Sequence, residues 1–89
     1  MTYLLVNHQV KEFNHWKKIY DSHEPARKAH EIEEVLVTHS ASDPGDVYIL
    51  FKSHSQEKAD QFFKSADLEM VMRDAGVISR PTVKILSAA

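Results

Sequence analysis

Apolar residues along this chain come in short runs whose spacing switches between the strand period of two and the helical period near 3.6. Thr2 to Gln9 opens on Tyr3-Leu4-Leu5-Val6, a run of strand formers of the length of one strand. One of its faces carries Tyr3, Leu5 and Asn7, and the other Leu4, Val6 and His8. From Lys11 the period changes. Phe13, Trp16, Tyr20 and His23 recur at i, i+3, i+7 and i+10, one stripe of a helix. Pro25 lacks an N–H and clashes with the preceding turn, so a second short helix, Pro25 to His30, is expected to restart there. Glu33 to Ser40 returns to strand composition with Val35-Leu36-Val37-Thr38, and Asp46 to Ser53 repeats it with Val47-Tyr48-Ile49-Leu50-Phe51. Asp43-Pro44-Gly45-Asp46 between them reads as a type II turn with glycine at the positive-φ position, closing an antiparallel hairpin.

Ser53 with Gln56 has capping-box spacing, and Ser55 is an alternative cap for the helix that follows. Its stripe runs through Ala59, Phe62, Phe63 and Ala66 and resumes at Leu68, Val71, Met72 and Ala75, with a break expected near Ser65 to Asp67. Gly76 has the character of a left-handed residue just past a helix end. Thr82 to Leu86 closes the chain as a strand with Pro81 at its start. The order is β-α-β-β-α-β over a single domain, residues 1–89. It predicts an α+β ferredoxin-like fold, a four-stranded antiparallel sheet with its helices on one face.

That reading leaves one face of the sheet in need of cover. The strands do not alternate cleanly between apolar and polar: Leu5, Leu36, Tyr48 and Leu50 stand opposite Leu4, Val6, Val37, Ile49 and Phe51. Helices can shield only one side, and the remainder would be a large apolar patch for a monomer. A chain of 89 residues with no cysteine also has few other sources of stability. A homodimer paired through the open sheet face answers both points.

Composition narrows the function classes. Eleven basic and 13 acidic residues give a formal charge of −2, with no basic footprint for nucleic acid. The apolar opening is too short for a membrane span, and a cytoplasmic location is expected. Without cysteine there is no disulfide, thiolate metal site or cysteine nucleophile. With only Gly45 and Gly76 there is no P-loop or dinucleotide turn. Six histidines invite a metal, but His15, His23 and His30 lie 8 and 7 residues apart, about two turns each, with Pro25 between them. No metal and no cofactor are expected.

Val10-x-x-Phe13-x-x-Trp16-x-x-x-Tyr20, the Asp43-Pro44-Gly45-Asp46 hairpin with its following strand, and Phe62-Phe63-x-Ser65 leading to Met72-x-x-Ala75-Gly76-Val77 together resemble the dimeric α/β-barrel superfamily. Its members include antibiotic-biosynthesis monooxygenases. The resemblance spans nearly the whole chain. It implies two sheets packed face to face across a two-fold axis, and one cleft per subunit between helices and sheet. In cofactor-free monooxygenases of this group an asparagine on the first strand acts with a tryptophan on the helix after the third strand. Asn7 matches the first, whereas the only tryptophan, Trp16, is on the first helical segment.

His8 is a candidate catalytic residue, because a histidine at the cleft end of the first strand titrates near neutrality and can serve as a general base. A strand-end histidine held by a hydrogen bond is the bland alternative. If Pro44-Gly45 is a two-residue loop, His39 faces Leu50 and lies diagonal to Tyr48, so His39 and Tyr48 form a second candidate catalytic pair. Asn7, Trp16, Tyr20, Phe63 and Arg73 are candidate substrate-binding residues: amphipathic aromatic tips, a cleft-reaching phenyl, and a cation for an anionic group. Together with the family resemblance, these features imply a dimer with a hydrophobic cleft for a small aromatic or polyketide-like molecule. It is either a cofactor-free oxygenase, cyclase or isomerase, or a non-catalytic ligand-binding or stress-response dimer.

Overall fold

The computed structural model describes residues 2–89. Its elements are β1 (Thr2–Gln9), α1 (Phe13–Ser22), α2 (Glu24–Ala29), β2 (Ile32–Ser40), β3 (Asp43–Ser53), α3 (Gln56–Phe63), α4 (Ala66–Asp74) and β4 (Thr82–Ser87). The four strands form one antiparallel sheet in the order β2-β3-β1-β4. Each helical region of the βαββαβ order is two short helices. Pro25 restarts the first at the beginning of α2, and Ser65 caps α4 by accepting from the Leu68 N–H. Ser55, not Ser53, caps α3 and accepts from the Lys58 N–H. Gly76, at φ +80°, ends the second region in the left-handed conformation expected of it.

Register sorts the strand residues. Leu4 pairs with Phe51, Val6 with Ile49 and His8 with Val47, so all six share one face. That face carries the core with Trp16 and Tyr20 of α1, Ala59 and Phe62 of α3, and Ala75. The other face presents Leu36, Leu50 and Leu5 as one cross-strand row ending at Lys84. Leu36 is 55 %, Tyr48 40 % and Leu86 41 % exposed there, so nothing among the described residues covers it.

The hairpin departs from the sequence expectation. The turn is Ala41-Ser42, and Ser40 pairs directly with Asp43. Asp43-Pro44-Gly45-Asp46 belongs to β3, in an irregularity that lets His39 resume pairing at Val47. Gly45 is not at a positive φ. It is needed because a Cβ there would stand 2.9 Å from the Val10 carbonyl oxygen, while the Val10 N–H donates to the Gly45 carbonyl at 2.8 Å. Gly45→Ala is therefore expected to cost about 1–3 kcal/mol in urea denaturation, as overpacking does. A change below about 0.5 kcal/mol would contradict that role.

Candidate functional site

Between the helices and the covered sheet face lies a cavity of about 250 Å³. The helical stripe is one wall: Trp16 stacks on Tyr20 with centroids 4.8 Å apart, and Tyr20 continues to Phe51 of β3 at 6.4 Å. Phe62 and Phe63 of α3 form another wall, set edge-on to each other at 5.3 Å. Leu68, Val71 and Met72 of α4 close it from above. α4 itself has no fully buried residue, and its Leu68 packs partly buried against the core.

His8 lines the cavity from β1. It is 5 % exposed, with its ring edge-on to Trp16 at a centroid distance of 5.6 Å. Neither ring nitrogen has a hydrogen-bond partner among the described residues, which is unusual for a buried polar group. Burial pushes its pKa down from 6.5 to about 4, so the ring is neutral at physiological pH. It offers one N–H donor and one lone pair.

The low His8 pKa has a stability consequence. The unfolded chain protonates His8 near pH 6.5, while the folded chain resists until about pH 4. Folding stability therefore falls as pH drops from about 6.5 to about 4, by up to roughly 3 kcal/mol from this group. Carboxylates titrate in the lower part of that window too. The expected signature is the difference between wild type and His8→Phe in urea midpoints across pH 4–7. Parallel curves would contradict a buried neutral His8.

Two further side chains complete the site. Arg27 of α2 is 4 % exposed and lines the cavity. Its Nη1 donates to the Tyr20 carbonyl at 2.8 Å, and its Cζ lies 3.8 Å from the Tyr20 ring centroid. The Tyr20 hydroxyl donates to Glu34 at 2.8 Å, and burial raises its pKa well above that of an ordinary tyrosine. His23 meets Asp67 of α4 at 2.9 Å and ties the roof to the end of α1.

No family model matches the chain, and no curated protein matches it. Solved structures do. A protein from Bordetella bronchiseptica that carries the antibiotic biosynthesis monooxygenase name superposes with a TM-score of 0.79 at 13 % identity, covering 99 % of this chain and 96 % of that one. The chain has the ferredoxin-like fold of the antibiotic-biosynthesis-monooxygenase-like proteins. A second such protein, from Caulobacter crescentus, gives a TM-score of 0.75 at 14 % identity over 99 % of this chain and 89 % of its own. A NIPSNAP domain protein from Burkholderia xenovorans gives 0.70 at 9 % identity, covering 100 % and 95 %. Identities this low establish the shared fold alone.

Within this monooxygenase-like fold, four sequence-derived candidates converge: His8, Trp16, Tyr20 and Phe63 all line the cavity. Four do not. Asn7 points to the opposite sheet face, where its Nδ2 donates to Asp46 at 2.9 Å and to the Val47 carbonyl at 3.0 Å. The bond from Asn7 to Asp46 and one from Gln9 hold the Asp46 carboxyl below its usual pKa. His39 and Tyr48 do not form a pair. The shifted hairpin sets His39 opposite Val47, on the helix side against Phe13 at 4.9 Å, while Tyr48 is opposite Thr38 on the open face. Arg73 is on the outside of α4, with Glu69 at 3.7 Å as its neighbour.

Arg27, His23 and Arg80 line the cavity without figuring among the sequence candidates for binding. A signal for Arg27 exists. The stripe Trp16, Tyr20, His23 continues at i+4 to Arg27, because Pro25 stands at the start of α2 and does not throw the helix out of phase. The histidines considered as a metal cluster are dispersed among separate partners: His15 meets the Asp74 carbonyl and His30 the Ala26 carbonyl. No helix among the described residues is long and apolar enough to cross a membrane.

Proposed function

We propose that the chain works as a homodimer, joined through its open sheet face, and that each subunit binds a small aromatic or polyketide-like molecule in the cleft beneath α4. The observation that carries this reading is His8, a buried imidazole with both nitrogens unpartnered among the described residues, on the wall of a mostly aromatic and aliphatic cavity. A buried polar group of this kind calls for a partner, and a ligand hydroxyl or carbonyl supplies one. At about 250 Å³ the cavity is slightly below the roughly 300–1,000 Å³ of drug-sized sites, which suits a molecule of one or two rings.

In this reading His8 orients the ligand as a neutral hydrogen-bonding group. With a pKa near 4 it is a poor match for a general base working near neutrality, where the most effective base has a pKa close to the operating pH. Cofactor-free oxygenation of an electron-rich hydroxylated ring fits such a site, since the mostly apolar walls and His8 would position the ring for O2. The second reading, a binding dimer without turnover, is favoured by that low basicity.

Oxygen uptake on 1-naphthol separates the two. One atom of O2 becomes the new carbonyl oxygen para to the hydroxyl, and the other leaves as water with the displaced ring hydrogen and the hydroxyl proton, giving 1,4-naphthoquinone. The enzymatic reading expects uptake well above the uncatalysed rate, with the excess lost in His8→Phe. An unchanged rate at saturating protein leaves the binding reading and removes the oxygenase.

A further inference from the structure

We infer that the cleft selects an anionic ligand: a one- or two-ring aromatic carboxylate whose carboxylate pairs with Arg27. The inference rests on the cleft being a ligand site. Arg27 is 4 % exposed, yet it belongs to none of the ion pairs among the described residues. A buried guanidinium without a carboxylate is costly to hold and is normally compensated. Its hydrogen bonding is also incomplete. A guanidinium has five N–H donors, and the one bond it forms among the described residues, from Nη1 to the Tyr20 carbonyl, leaves the Nε–Nη2 edge unused. That edge is the fork that grips a carboxylate with two parallel hydrogen bonds.

The surroundings have the same sign. The cavity wall contains two arginines, Arg27 and Arg80, and no aspartate or glutamate. Glu24 and Glu34 sit with Arg27 around a neighbouring surface cleft, beyond ion-pair distance, and Glu34 is engaged by the Tyr20 hydroxyl. Stacking of the guanidinium on the Tyr20 ring holds the cation where the aromatic wall ends. An apolar body against Trp16, Phe51 and Phe63, a polar group at His8 and a carboxylate at Arg27 would satisfy both His8 and Arg27.

Isothermal titration calorimetry with 1-naphthoate and its neutral near-isostere 1-naphthamide tests this on the full chain. The expected result is naphthoate binding about tenfold tighter than the amide, the size of one charge-assisted contact. Arg27→Met should collapse that preference to less than about twofold, and Arg27→Lys, which keeps the charge without the fork, should fall between. Circular dichroism on each variant shows whether it folds, and the wild-type comparison stands without them. Equal affinity for the two probes overturns the anionic selection and leaves the cleft a ligand site. Binding of neither probe overturns the cleft reading, and this inference with it.

Discussion

Leu50→Asp is expected to turn a dimer into a monomer without unfolding the chain. Leu50 is at the centre of the open face, between Leu36 of β2 and Leu5 of β1 in the cross-strand register. Its side chain points away from the core on the helix side, so the subunit's own packing loses little. At a two-fold interface the substitution appears twice, and each new carboxylate would be taken out of water into a row of leucines. At a few kcal/mol per carboxylate, dissociation should rise roughly a thousandfold or more. Sedimentation velocity at micromolar concentration checks it. The expected masses are two chains for wild type and one for the variant. A wild-type monomer, or a variant dimer as tight as wild type, would contradict pairing through this face.

The second large effect is on stability. Trp16→Ala should cost about 3–5 kcal/mol, the range for truncating a buried aromatic. Trp16 is 2 % exposed and touches Phe13, His8 and Tyr20, so it joins the first helical region to β1 and carries the cavity wall. A domain of this size has only about 5–15 kcal/mol of net stability, so the variant is expected to be near its unfolding threshold at room temperature. Urea denaturation reads the loss directly. A cost below about 1 kcal/mol would mean that Trp16 is not integral to the core.

Much of the fold is legible in the sequence because local chemistry and tertiary packing agree. Pro25, Ser65 and Gly76 mark helix starts and stops where backbone chemistry requires them, and Phe13, Trp16 and Tyr20 mark the buried stripe. The hairpin is the exception. Asp-Pro-Gly-Asp carries strong turn chemistry, yet Gly45 is held in β3 by its close approach to Val10, a contact between residues 35 positions apart. That displacement carried His39 to the face opposite Tyr48, since a change of register reassigns side chains to faces. The site is half legible. His8, Trp16, Tyr20 and Phe63 follow from face and stripe. Arg27 continues the buried stripe four residues past His23, but a cation on an apolar stripe is readable as a binding group only once its burial over Tyr20 is known. Arg73 lies off the stripe of α4 and points outward.

The cleft is the centre of the functional account, and Trp16 is a single reporter inside it. With one tryptophan in the chain, a 15N-labelled sample has one indole N–H resonance. Titration with 1-naphthol is expected to shift that resonance and the His8 ring signals together along one saturable curve, while Tyr48 on the open face stays still. An indole signal unmoved at saturating naphthol, or shifts confined to the open face, would contradict ligand binding in this cavity.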